Sequence, residues 1–295
     1  MQIKKYFRNI ICLNLFISLI ICRPSGAENI QKGLPLYYWQ AYQFTNFGDY
    51  LSLILVQRIV QSPVRVYKKT PKPEIKLLAI GSIFGAASNG DIVWGSGING
   101  KFMNLDHYHF TQLDVRAVRG PLTRQFLMDN FQIDVPEIYG DPALLFPYFF
   151  PEFKKKKFPT QDYIIIPHYS EEKLFPKEVF GDFVVYPTES WDVIIKKILN
   201  SKFVISSSLH GIILAEAYGI PARLLKLTNH EPLFKYQDYY LGTNRPHFQF
   251  ATSLKDALEM GGETSFHCDL EKLYQAFPFE FWPRTSFKPQ LRKVL

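Results

Sequence analysis

The stretch Phe203-Val204-Ile205-Ser206-Ser207-Ser208-Leu209-His210-Gly211-Ile212-Ile213-Leu214-Ala215-Glu216-Ala217-Tyr218-Gly219-Ile220-Pro221 decides the fold class. An apolar run ends in three hydroxyls, and a histidine opens a second apolar segment that Gly219 and Pro221 close. The order reads as strand Phe203–Ile205, turn Ser206–His210 and helix Gly211–Tyr218, because glycine suits a helix C-terminus and proline cannot continue one. In an open parallel sheet, ligands bind beyond the carboxyl ends of the strands. A helix N-terminus at that place offers free N–H groups and the positive end of a dipole, which suits a phosphate or a carboxylate. His210 adds a charge or a proton there. The same residues also fit a plain helix cap, with His210 as a partly buried spacer.

Upstream the alternation repeats. Leu34–Trp39 reads as a strand, followed by the turn Asn46-Phe47-Gly48-Asp49, where Asp49 is placed to cap a helix bearing Leu51, Ile54, Leu55 and Ile59. Val64–Tyr67 and Leu77–Ile80 read as strands, the second running into Gly81. Asp91–Trp94 meets the glycine-rich turn Gly95-Ser96-Gly97, and Leu113–Val118 precedes Arg119-Gly120-Pro121, which opens a helix with proline in its first turn. A second series begins after Pro159: strands Tyr163–Ile166 and Phe183–Tyr186, then an amphipathic helix Trp191–Leu199 with Ile194, Ile195 and Ile198 on one face. Leu224–Leu227 reads as a further strand, and the aromatic tail as helical around Leu270–Ala276. Between the series, Phe146–Pro159 holds Pro147, Pro151, Pro159 and Lys154–Lys157 and reads as a linker. Strand, loop, helix, strand marks a parallel, doubly wound sheet. The expected fold is α/β, with Rossmann-like domains over 33–148 and 161–295 facing across a cleft and joined by a linker at 149–160.

The 295 residues carry 34 Lys+Arg against 27 Asp+Glu, a formal charge of +7. Residues 1–27 hold Lys4, Lys5, Arg8 and Arg23 and no acid, so removing them leaves +3. Lys154–Lys157 alone contributes +4, so the rest of the chain sums to −1. That nearly neutral body, with no RNP-like or OB-type arrangement of its aromatics, argues against a nucleic-acid partner. The segment 1–27 is a basic stretch, the apolar run Ile10–Cys22, and small residues Ser25 and Ala27 before Glu28, as in a signal peptide. Uncleaved, it would be a weak anchor, short of the ~18–20 residues that span a bilayer. The chain is therefore expected to bear a signal peptide or to associate with a membrane, unless the start lies downstream and the protein is cytosolic. Outside the leader only Cys268 remains, which excludes an intramolecular disulfide and a cysteine metal cluster after cleavage. His107-Tyr108-His109 has a metal-compatible spacing but no third ligand, so it reads as exposed loop and no metal is expected. Gly95-Ser96-Gly97 lacks the dinucleotide fingerprint.

Several of these stretches, in order, resemble the polysaccharide pyruvyl transferase family. Ser207 to Pro221 is similar to its signature, and Asn46-Phe47-Gly48-Asp49 to its Asn-x-Gly-Asp turn. Val93–Gly97, Val118–Arg124, Gly140-Asp141-Pro142-Ala143, Ile166–Tyr169 and Lys235–Tyr240 look like its other landmarks. The resemblance implies a two-domain fold like that of GT-B glycosyltransferases, phosphoenolpyruvate as donor, and a pyruvyl ketal bridging two hydroxyls of a sugar. Many relatives carry Arg immediately before Leu-His, where it would bind the donor; this chain has Ser208.

Such chemistry needs a cationic, preorganised donor site, an acid and a base. It requires no cofactor beyond the donor. His210 is assigned as the acid or the phosphate-side partner, and Arg119 as a bidentate clamp on carboxylate or phosphate. Read without the family, Arg119 is an arginine at a helix start, an unfavourable place unless an anion sits nearby. Asn46, Gly48 and Asp49 are expected to line the cleft from the first domain, or to serve only as turn and cap. Gly95 and Ser96 join them from the glycine turn, and Ser207, Ser208 and Leu209 from the second domain. His168 ends a strand there, as a ligand contact or as a structural histidine. The expected partners are a glycan acceptor and phosphoenolpyruvate, with membrane contact through the N-terminal segment. Two rival readings are a GT-B-like glycosyltransferase using a nucleotide sugar, and an exported glycan-binding protein without catalysis.

Overall fold

In the computed structural model, residues 33–70 and 74–283 are described; the segment 1–27, expected to be a leader, lies outside them. Four short strands, β1 (Leu36–Tyr37), β2 (Leu77–Leu78), β3 (Ile92–Trp94) and β4 (Asp114–Ala117), pair in that order, every pair parallel. A second four-stranded sheet orders β5 (Ile164–Ile166), β6 (Val204–Ser206), β7 (Ala222–Leu225) and β8 (Phe250–Ala251), again all parallel. The fold is α/β with two parallel four-stranded sheets, consistent with two Rossmann-like domains. Strands such as Ile164-Ile165-Ile166 are fully buried, and their unbroken apolar runs follow from having both faces covered. Each such side chain contributes roughly 1.5–3 kcal/mol by leaving water.

Among the described residues, nine helices connect and cover these sheets: α1 (Phe47–Val60), α2 (Pro121–Phe131), α3 (Phe146–Phe149), α4 (Lys177–Phe180), α5 (Trp191–Leu199), α6 (Leu209–Ala217), α7 (Phe234–Gly242), α8 (Leu254–Met260) and α9 (Leu270–Gln275). Helix α1 is buried nearly all round, from Phe47 and Leu51 to Leu55, Val56 and Ile59. It runs through one apolar core shared with Phe146, Phe149 and Phe150, Ile194 and Ile198 of α5, and Ile212 and Ile213 of α6. Helix α5 keeps one wet face, with Ile194, Ile195 and Ile198 buried as its period predicts. None of the helices among the described residues is long and apolar enough to cross a membrane.

Four local expectations are corrected. Asp49 lies inside the first turn of α1, and Asn46 takes the N-cap position instead. Val64–Tyr67 and Phe183–Tyr186 reach the sheets only through single bridges, Val66 to Leu36 and Val184 to Ile165, because each is a sheet margin with exposed residues such as Arg65 and Phe183. Strand β8 went unpredicted; two residues at an edge leave no run to detect. In the stretch read as a linker, Lys154–Lys157 is exposed, but Phe149 and Phe150 are core residues. The proline in Phe146-Pro147 sits in the first turn of α3, where its missing N–H costs nothing.

The chain beyond β8 returns to the first sheet. Trp94 donates its indole N–H to Leu273 O at 2.7 Å, Phe277 packs edge-on against Trp94, and Arg116 pairs with Glu280 at 2.5 Å. The two halves are thereby bound at the core and by the tail, and the loops after their strands meet.

Candidate active site

Those loops enclose a cleft of about 490 Å³. Its walls come from the carboxyl ends of strands in both sheets: Trp39 and Asn46 after β1, Ser82 after β2, Lys101 after β3, His168 after β5, Ser208 to His210 after β6, and Glu231 with Lys235 after β7. This is where the topology of parallel sheets puts ligands.

The N-termini of α1 and α6 converge on the floor. Ser208 holds the N-cap position of α6 in an extended conformation and makes no side-chain capping bond. The first N–H groups of α6 have no acceptor within the helix and lie beside the cleft. His210, in the first turn, is nearly buried. Its Nε2 lies 3.5 Å from Oδ2 of the fully buried Asp141, and neither atom has a hydrogen-bond partner among the described residues. The other carboxylate oxygen of Asp141 accepts from the Ala143 N–H at 2.9 Å, which fixes the side chain. Gly48, in the first turn of α1, packs so closely on His210 that a Cβ there would overlap the imidazole ring. Asp49 completes the group. Burial raises its carboxyl above the usual range, against the pull of His210, an Asn46 hydrogen bond of 2.6 Å and Lys235. Gly81, at φ 119°, leaves room for that carboxylate where a side chain would crowd it.

A cationic cluster stands beside this group. Glu231 pairs with both Lys101 and Lys235, so the three charges sum to one positive. Lys235 is pushed down by burial, and also by Lys101 and Arg119, while Glu231 holds it up. For Glu231, burial is outweighed by Lys235, His168 and Lys101, and the carboxyl sits below its ordinary range. The His168 imidazole is lowered to about 3, first by burial and then by Lys235. It is therefore neutral near pH 7. Its Nδ1 contacts Ser170 Oγ at 2.8 Å and caps the Ser170 N–H, which leaves Nε2 as the N–H facing Glu231 Oε1 at 3.4 Å.

Of the residues singled out in the sequence, Asn46, Asp49, His168, Ser208, Leu209 and His210 line the cleft. Arg119 does not. It is fully buried behind the wall, donating to Ser82 Oγ at 2.7 Å and Ile98 O at 2.6 Å, with Nε 3.3 Å from Asp238 Oδ2. The anion that an arginine at a helix start requires is thus Asp238 of α7, which also accepts from the Thr123 N–H and hydroxyl. Gly48, Gly95, Ser96 and Ser207 lie one layer back. A Cβ on Gly95 would meet Pro142, Ser96 donates to Gly81 O at 2.8 Å, and Ser207 Oγ accepts from the His168 N–H at 2.8 Å. His107 reaches the cleft rim beside Phe102, whereas His109 is exposed; among the described residues no cluster of three potential ligands could hold a metal. Sequence reasoning missed Asp141, Lys101, Glu231 and Lys235 as site residues. Asp141 carried a signal, since Asp before Pro-Ala marks a capped turn, but its facing His210 is a tertiary fact.

The sequence model of the polysaccharide pyruvyl transferase family matches residues 17–228, well over half of the chain. The chain belongs to the polysaccharide pyruvyl transferase family. As a member it is a transferase, and the family implies a polysaccharide acceptor. The pyruvyl transferase-family chain is 28% identical over 256 residues to an uncharacterized protein of Acanthamoeba polyphaga mimivirus, covering 81% of this chain and 85% of that one. It is 29% identical over 214 residues to the succinoglycan biosynthesis protein ExoV of Rhizobium meliloti, covering 69% of this chain and 63% of the rhizobial protein's length. A crystal structure of an uncharacterized Klebsiella pneumoniae protein aligns with a TM-score of 0.44 at 13% identity, over 76% of this chain and 94% of that one.

Proposed function

We propose that this pyruvyl transferase-family protein takes its pyruvyl group from phosphoenolpyruvate and closes it as a ketal on two hydroxyls of a glycan sugar. The observation that carries the reading is the pairing, in one cleft, of a net-positive cluster (Lys101, Lys235, Glu231) with an acid–base group (His210, Asp141, Asp49). Phosphoenolpyruvate is a compact polyanion, and the lysines with the α6 N-terminus supply its receptacle. Lys101 and Lys235 also supply cationic charge in a site where Ser208 replaces the arginine of many relatives.

In this scheme His210 delivers a proton to the methylene carbon, which becomes the methyl group. The first sugar hydroxyl bonds to the adjacent carbon and gives its proton to Asp49. Phosphate then leaves with the bridging oxygen, the second hydroxyl closes the ring, and its proton neutralises the leaving group. Asp141 stands behind His210, its carboxylate facing Nε2 and orienting the ring. The first hydroxyl thus adds across the former double bond and the second takes the place of phosphate. Asp49 returns its proton to His210 through solvent, so that over one turnover one hydroxyl hydrogen is balanced by the methyl group and the other by phosphate.

Incubation with phosphoenolpyruvate and a pyruvate-free glycan is expected to release phosphate and add a ketal methyl resonance to the product. Thermal stabilisation by a nucleoside diphosphate, with none by phosphoenolpyruvate, would overturn the donor assignment. For the leader, export or membrane contact is the corresponding proposal; cell fractionation with N-terminal sequencing tests it, and Glu28 as first residue marks cleavage.

A further inference from the structure

The cleft is larger than a three-carbon phosphate ester requires, and one part of its wall has a different chemistry. Trp39, from the first half, stacks on Tyr169, from the second, with ring centroids 5.3 Å apart and planes 28° apart. Phe44 closes the cluster against both, at 6.2 Å from Trp39 and 5.4 Å from Tyr169. Trp39 and Tyr169 line the cleft half-buried, and Phe102, 53% exposed, stands on its rim. Half-buried aromatics of this kind expose apolar ring surface that the protein's own core does not cover. The wall also adjoins the charged groups. The Tyr169 ring lies 4.3 Å from that of His168, and its phenol sits in the field of Lys101, Glu231 and Asp49.

We propose that the Trp39–Tyr169 wall, with Phe102 at its rim, is the acceptor subsite, taking the C–H face of a neutral pyranose ring so that its hydroxyl edge meets Asp49 and His210. The inference rests on the pyruvyl-transfer reading and adds the place and the chemistry of the acceptor. A pyranose presents hydrogens of ring carbons on a face and hydroxyls around its edge. An aromatic wall beside an acid–base group matches both surfaces at once, whereas an anionic sugar would find its charge preference met only at the lysines. Because Trp39 and Tyr169 come from different halves, the subsite forms only where the two sheets' loops meet.

The test is calorimetric titration of the purified protein, with no donor present, using neutral oligosaccharides of glucose and galactose freed of ketals. The wild type is expected to bind, and Trp39→Ala and Tyr169→Ala to weaken binding about tenfold or more, while Trp39→Phe keeps most of it. Thermal shift by phosphoenolpyruvate should be the same in all four proteins, which shows that the variants are folded and that the donor pocket is intact. Unchanged glycan affinity in both alanine variants, or no glycan binding by the wild type, overturns the subsite. Failure of the donor reading is separate: it shows as no phosphate release, with glycan binding and its loss in Trp39→Ala unaffected.

Discussion

The Nε2 of His210 lies 3.5 Å from Oδ2 of Asp141, two buried atoms with no other hydrogen-bond partner among the described residues. The pair joins the signature helix α6 to the Gly140–Ala143 turn, which are 69 residues apart in the chain. At that distance a small approach makes a hydrogen bond, so the carboxylate is placed to orient the imidazole ring. His210→Gln should lower kcat by about 10²–10⁴-fold, the range of a lost proton-transfer group. Asp141→Asn keeps the cap on Ala143 and removes the charge, and about a tenfold loss is expected. Phosphate release at saturating donor measures both; equal activity of Asp141→Asn and the wild type would end the pairing argument.

Gly48→Ala sets helix propensity against the site. Inside a helix, alanine is favoured over glycine by ~1 kcal/mol. At Gly48, however, the new methyl occupies the space of the His210 ring. Activity should fall at least about tenfold through displacement of that ring, with the far-ultraviolet spectrum preserved. Full activity with raised stability would show that His210 can move without consequence.

Arg119 makes a different prediction from the one its motif suggests. Its guanidinium is held by Ser82 at the cleft wall and by Ile98 and Asp238, both out of water. Removing one partner of a buried ion pair strands the other charge and costs ~3–5 kcal/mol. Arg119→Met should therefore lower the denaturant midpoint by that equivalent. A stable variant that has lost only donor affinity would return Arg119 to ligand contact.

How much of this was legible in the sequence depends on range. Helix α5 was readable to the residue because its apolar period is local and strong. In the Ser206–Pro221 stretch the strand end, cap and glycine stop were readable within one run, but the helix spans Leu209–Ala217, not Gly211–Tyr218, so His210 lies inside its first turn. Phe149 and Phe150 were misread because prolines and lysines around them signal a loop, while burial against α1 and Trp191 is decided by distant chain. The motif residue Arg119 was found, but the anion it needs lies 119 positions later at Asp238. Lys101 and Glu231 are 130 residues apart and sit on loops, where neither periodicity nor turn chemistry announces a partner.

His168 gives a pH signature. Its imidazole is lowered to about 3 by burial and by Lys235, from an ordinary value near 6.5 in the unfolded chain. Between those values the unfolded state binds the proton and the native state does not. The native state is thus fully favoured above about pH 6.5 and loses up to ~1.4 kcal/mol per pH unit below it. His168→Gln should flatten the fall in denaturation midpoint between about pH 6.5 and pH 5. An unchanged slope would show that His168 takes up its proton in the native state.

Glu231 holds the two lysines that the proposed donor would engage, so its removal tests the receptacle with a sign. With Glu231→Gln the cluster of Lys101 and Lys235 gains one net positive charge. Near pH 7, inorganic phosphate and phosphoenolpyruvate should then bind about tenfold tighter at low salt, with a steeper loss as salt is added. The same substitution removes the group that holds the Lys235 ammonium up against burial, Lys101 and Arg119. Lys235 should therefore lose its proton at lower pH in the variant, and anion affinity should decline earlier on the alkaline side than in the wild type. Calorimetric titration with phosphate across that range reads both effects. Weaker binding by Glu231→Gln at every pH would mean that Glu231 positions the lysines for the anion instead of competing with it.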